Sequence, residues 1–251
     1  MKAMHRAFAV ALAALLVAGC ASSPKPPPTA KHGEFANEVL MVGRAQREYR
    51  LFVPTSVDLA RPAPLVVAFH AMLIDSKDVM PTYTRLNETA QRHGFVLAYP
   101  NAISGVWGFL PDRTAADIAF FDALLTHLST TYRIDADRVY VLGMSNGGYF
   151  AQLVARERST AIAAAASHSG LLGLETLGGV NAARKFPVLI VHGTLDLIFP
   201  YPLVRENADR YRREGHEVKY VEVAGLAHAW ATDTNINEQI WAFFAAHRMT
   251  R

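Results

Sequence analysis

Three short apolar runs restrict this chain more than any other feature: LVVAF at 65–69, FVLAY at 95–99 and VLIV at 188–191. A strand with one wet face alternates apolar and polar residues, whereas a strand covered on both faces reads as a continuous run. Between the runs lie helical periodicities. Ile118, Phe121, Leu125, Leu128 and Tyr132 fall at helical spacing, and Val204–Glu214 reads as a helix with Gly215 just past its end. A short helix is predicted within 83–92, stopped by Gly94, and another follows Ser145. Further strands are predicted at Glu48–Val53, Arg138–Leu142, Ile162–Ala166 and Glu217–Val223. The last helix opens with Asn235 and Glu238 at capping-box spacing. Strands alternating with helices predict an α/β architecture, a mostly parallel sheet flanked by helices. Chemistry in such sheets collects at the carboxyl ends of the strands.

The N-terminus reads differently. Lys2 and Arg6 precede an apolar run, Ala7–Ala18, that is shorter than the ~20 residues of a membrane span. It ends in Leu16-Val17-Ala18-Gly19-Cys20, which resembles a bacterial lipoprotein signal with a lipidated cysteine. The expected organisation is a leader at 1–19, a lipidated Cys20 with a Pro-rich tether over 20–33, and one domain over 34–251. The expected location is the bacterial cell envelope, lipid-anchored at the outer membrane or periplasmic face, with secretion as the alternative. Without the leader, 23 basic residues face 22 acidic ones, a balance that argues against a nucleic-acid partner. Cys20 is the only cysteine, so the domain relies on an apolar core, which the 51% apolar composition can build. The composition fixes no oligomeric state.

The segment VYVLGMSNGGYF, 139–150, supplies the first candidate for chemistry. A Gly-x-Ser-x-Gly pentapeptide arises by chance in about one chain in ten of this length, so the motif alone leaves Ser145 open as a structural turn residue. Its position directly beyond a strand and before a helix is that of a nucleophile on a strained turn. Gly143 and Gly147 would remove side chains that obstruct the close approach of strand and helix. A serine hydroxyl needs a base and an orienting acid. Asp196 follows the strand at 187–191 and His228 follows the strand at 217–223, so acid and base arrive in order after later strands. Asp117 and Asp233 are rivals for the acid; His70, His168, His192 and His216 are rivals for the base. The first three of these histidines are expected to make structural hydrogen bonds at the ends of earlier strands, and His216 is placed at the wrong edge, before the last strand. The backbone N–H groups of Asn146 and Met72 are candidates for an oxyanion hole, with Met72 equally readable as cover for the core edge. Trp107, Phe109, Leu110, Phe199, Tyr201 and Trp230 are candidate pocket residues or ordinary core anchors.

With these residues in place, the sequence resembles the α/β-hydrolase esterases that include polyhydroxybutyrate depolymerases, feruloyl esterases and acetyl xylan esterases. The resemblance runs from about Glu48 to His247. It rests on Arg50–Pro54, Pro64–His70, Phe95–Pro100, Asp117–Phe121, Asp137–Gly148, His192–Asp196 and Pro200-Tyr201. It implies an α/β-hydrolase fold and ester hydrolysis with Ser145, Asp196 and His228 as nucleophile, acid and base. The segment between 166 and 188 is too short for a large lid domain. The implied substrate is a small-molecule or polymer-derived ester, with no metal or organic cofactor. Two positions depart from the family pattern: Ala71 stands where it has glycine after His70, and Ala227 precedes His228 where it has glycine. The methyl of Ala71 is expected to restrict the backbone of the oxyanion loop. The alternatives are a non-catalytic envelope lipoprotein that keeps the fold for binding, and a serine peptidase or other hydrolase on the same fold.

Overall fold

The computed structural model describes residues 30–72 and 76–250. The leader, Cys20, the tether up to residue 29 and Leu73–Asp75 lie outside the described residues. Eight strands form one sheet: β1 (Gly33–Val42), β2 (Ala45–Val53), β3 (Ala63–Phe69), β4 (Val96–Pro100), β5 (Ile134–Met144), β6 (Ala164–His168), β7 (Val188–Gly193) and β8 (Val218–Val223). Their spatial order is β1-β2-β4-β3-β5-β6-β7-β8. The pairs from β4 to β8 are parallel, and only β1–β2 and β2–β4 are antiparallel. Six helices are described: α1 (Ser76–Thr84), α2 (Leu86–His93), α3 (Pro111–Thr131), α4 (Asn146–Glu157), α5 (Tyr201–Arg213) and α6 (Ile236–Ala246).

The continuous apolar runs are the middle strands, and their alternation explains the two-sided burial. In β3, Leu65, Val67 and Phe69 face a core shared with Phe121 and Leu124 of α3, Phe150 of α4 and Val204 of α5. Val66 and Ala68 face a second core with Leu86 of α2 and Ile240 and Phe244 of α6. Helices therefore cover both faces, as an unbroken strand requires. Between β6 and β7 the chain makes only a short 3-10 turn at Leu174–Thr176, so no lid domain stands there.

Three expectations need correction. Strand β1 was not expected: its residues carry charge and alternate between half-buried and exposed positions, the pattern of an edge strand rather than of the buried runs. The helix expected within 83–92 is two helices, α1 and α2, broken at Arg85, whose φ of 56° cannot continue a right-handed helix. The capping box at Asn235 does not form. Asn235 has φ 56° and ψ 30°, not the extended backbone of a capping residue, and makes no side-chain cap. Glu238 instead accepts from Arg92 at 2.5 Å and pairs with His93 at 2.6 Å, tying α6 to α2. Gly215 does take the left-handed conformation, φ 82°, just past α5.

Candidate active site

The tight β5–α4 turn sets the site. Ser145 sits between the two elements with φ 56° and ψ −119°, a strained conformation for a residue with a side chain. Its amide donates to the His168 carbonyl at 2.9 Å, and its carbonyl accepts from the Tyr149 amide at 2.9 Å. A Cβ at Gly143 would collide with the Gly147 carbonyl, and one at Gly147 with the carbonyls of Phe69 and His70. The two glycines thus let α4 start almost in contact with the ends of β3 and β5.

Ser145, His228 and Asp196 meet in one hydrogen-bonded chain. His228 Nδ1 lies 2.8 Å from Asp196 Oδ2, and His228 Nε2 lies 2.8 Å from Ser145 Oγ. A carboxylate only accepts, so Nδ1 carries the proton and neutral Nε2 is left to accept from the serine hydroxyl. The other Asp196 oxygen accepts from the amides of Ile198 and Phe199, both at 2.9 Å. Burial pushes the Asp196 carboxyl up, but the Phe199 amide and the His228 imidazole outweigh it and hold the group below its ordinary range. The loops after β7 and β8 are laced together: Leu195 N–H donates to the Leu226 carbonyl, and Gly225 N–H to Thr194 Oγ1, both at 2.9 Å.

The rival groups make other bonds. Asp117 is buried, paired with Arg47 at 2.7 Å, and accepts from the Gly108 amide at 2.9 Å. It anchors the loop before α3. Asp233 stands on a short turn after His228 and bonds to Thr232. His70 Nε2 accepts from the Ala102 amide at 3.0 Å. His192 Nε2 donates to the Phe199 carbonyl at 2.8 Å. His216 Nδ1 lies 3.0 Å from the Phe186 carbonyl. His168 Nε2 accepts from the Ala231 amide at 3.1 Å, and its ring stacks on Trp230 with centroids 4.6 Å apart. Burial, then the neighbouring His192 and His228, pull the His168 pKa down to about 3, so it stays neutral and braces the His228 loop.

Ser145, Asn146 and His228 open onto a cavity of about 570 Å³. Asn146 is the first residue of α4, so its amide has no helical acceptor and the helix's positive end lies there. Its side chain is used elsewhere, accepting from the Trp107 amide at 2.8 Å. Met72 lines the same cavity and is partly exposed. Ala71 is buried but stands outside the left-handed region, so its methyl adds no backbone strain to this loop.

The aromatic candidates divide. Phe109 and Phe199 line the cavity. Trp107 does not: it is fully buried, stacked on Phe150 at 4.6 Å, with Nε1 donating to the His70 carbonyl. Trp230 is buried behind His228 against His168. Tyr201 points its hydroxyl to Glu222 at 2.8 Å on the surface, and Leu110 is exposed. The remaining walls include Tyr149, Leu171, Leu172, Leu174, Glu175 and Ile198, which the sequence reading did not single out. Only Tyr149 carries a usable signal, because a residue four beyond Ser145 on a helix returns to the same face.

Residues 47–185, more than half of the chain, match the family described as esterase PHB depolymerase. The chain belongs to that family. The protein NocK of Nocardia uniformis subsp. tsuyamanensis is 32% identical over 181 residues, covering 69% of this chain and 52% of its own length. The bifunctional acetylxylan esterase/xylanase XynS20E of Neocallimastix patriciarum is 31% identical over 178 residues, covering 68% of this chain and 25% of its own. The chain thus spans about half, or less, of the length of these relatives. Among solved structures, a ferulic acid esterase from Anaeromyces mucronatus, in complex with ferulic acid, superposes with a TM-score of 0.67 at 16% identity. It covers 90% of this chain and 94% of that one, and places the family member in the α/β-hydrolase fold.

Proposed function

We propose that this protein is a serine esterase that hydrolyses carboxylic esters through an acyl-enzyme. The observation that carries the reading is the Ser145–His228–Asp196 chain of two 2.8 Å contacts opening onto a mostly apolar cavity. As Ser145 Oγ attacks the ester carbonyl, His228 Nε2 takes its proton. Asp196 stays ionised, fixes the imidazole tautomer and stabilises the imidazolium. The amides of Asn146 and Met72 receive the oxyanion. His228 returns the proton to the leaving alkoxide, and water then repeats the sequence on the acyl-enzyme. The relative named for acetylxylan, the structural neighbour holding ferulic acid and the family description of a PHB depolymerase support neutral acyl esters of polysaccharides or hydroxy acids as substrates. Cys20 is the proposed lipid attachment, holding the domain at the cell envelope through the Pro-rich tether.

The test is turnover of 4-nitrophenyl butyrate together with fluorophosphonate labelling. Ser145→Ala should abolish labelling and lower kcat by about 10⁴-fold or more. Unchanged turnover in the purified variant would sink the reading.

A further inference from the structure

We propose that Glu175 makes the cavity a charge filter. It favours esters that are neutral where they lie in the cavity and disfavours esters that carry a carboxylate there. The inference rests on the esterase reading above and names the substrate class of the same site.

Among the residues described as lining the cavity, Glu175 carries the one carboxylate. Its oxygens lie against Gly173, where a Cβ would run into them and into the Tyr149 ring; Gly173 and Tyr149 are themselves cavity walls. The backbone that presents Glu175 is fixed. Thr176 N–H and Oγ1–H both donate to the Gly173 carbonyl, at 3.0 and 2.7 Å. Arg210 of α5 reaches across to the Thr176 carbonyl and hydroxyl at 2.9 and 3.0 Å.

Two cations lie near this turn, Arg156, which lines a small pocket together with Glu175, and Arg210 of α5. Arg210 is used on Thr176, and Arg156 donates to Glu157. No ion pair neutralises Glu175 among the described residues. Phe109, Leu171, Leu172 and Phe199 line the same cavity and screen a charge less than water does. The Glu175 side chain itself is exposed, so water screens part of its charge and the filter is a modest one. A carboxylate on a bound ester would lose water and meet a like charge. A neutral ester bearing a hydroxyl could instead donate to Glu175. The filter therefore separates hydroxylated neutral esters from polyester fragments that end in a free acid.

The experiment compares matched ester pairs at low salt: mono-4-nitrophenyl adipate with its methyl-capped counterpart, and 4-acetoxybenzoate with its methyl ester. The two pairs put the carboxylate on the acyl and on the alcohol side. The quantity read is the anionic-to-neutral ratio of kcat/KM. In Glu175→Gln this ratio should rise about fivefold for at least one pair, and further in Glu175→Lys. The wild-type discrimination should shrink toward that of Glu175→Gln in about 0.5 M NaCl. Ratios that stay within about twofold of wild type in both variants, for both pairs, would overturn the filter. Failure of the wild type to hydrolyse any neutral ester would instead overturn the esterase reading, and the filter with it.

Discussion

Ser145 and Glu175 open onto one cavity, but different kinds of backbone hold them there. Ser145 stands at the end of a central strand, its amide bonded to the end of β6 and its helix pressed against β3 with no room for a Cβ. Glu175 stands on a short turn in the loop between β6 and β7, with an exposed side chain. The sheet's own hydrogen bonds dictate the spacing of the first region, so the geometry of reaction comes with the fold. The second region can exchange side chains without disturbing the core, so ligand choice can vary while the reaction is kept.

The largest test of this contrast is in the strand-held region. Asp196→Asn keeps an oxygen for the Ile198 and Phe199 amides, so the loop should hold its shape. The amide can present an N–H to His228 Nδ1, which favours the wrong tautomer. We expect kcat to fall by about 10³- to 10⁴-fold with KM little changed. A loss below about tenfold would mean that the chain of contacts is structural only.

His168 sharpens the contrast through stability rather than rate. Its folded pKa of about 3 lies below the ordinary histidine value of 6.5, so the unfolded chain binds more protons between those limits. Stability should therefore rise with pH across that window and fall as pH is lowered through it. Asp196 acts in the same direction, but only as pH falls through its depressed folded value. His168→Gln can keep an acceptor for the Ala231 amide without the titrating ring. Urea unfolding at pH 7 and 4.5 should show the wild type losing about 2 kcal/mol more than the variant. Equal losses would remove His168 from the acid sensitivity of the His228 loop.

The same division decides what the sequence could reveal. The meeting of Ser145, Asp196 and His228 was legible because each sits a residue or a few beyond a strand, and position relative to strand ends survives translation into structure. Ser145 and Asp196 follow buried apolar runs, and His228 follows the alternating β8. Of the cavity walls beyond Ser145, Asn146 and His228, only Met72, Phe109 and Phe199 were among the candidates. Trp107 and Trp230 were readable as pocket residues or as core anchors, and both are buried braces, one under α4 and one behind His228. Residue type does not say which side of a loop a ring takes. Leu171, Leu174 and Glu175 line the cavity on a loop tied to α4 by Gln152 at the Leu171 carbonyl and to α5 by Arg210 at the Thr176 carbonyl, tertiary bonds with no sequence period. Strand β1 escaped for a related reason: at the sheet's edge its residues need not be apolar.

The smallest expected effects lie in the loop region. Leu174 and Ile198 line the cavity at 81% and 64% exposure, and neither side chain supports the core. Ile198 contributes its amide, not its side chain, to Asp196. Serine at either position should change stability by less than about 0.5 kcal/mol. Turnover of a 4-nitrophenyl acetate, too short to reach these walls, should stay within about twofold of wild type. An octanoyl ester extends along them, and losing a few methylene contacts should raise its KM about three- to fivefold. If acetyl and octanoyl esters lose activity equally, the loop residues are shaping Ser145 and not the ligand. The division between a strand-held reaction and a loop-held choice of ester would then fail at the point where the two regions touch, Asp196 and its neighbour Ile198.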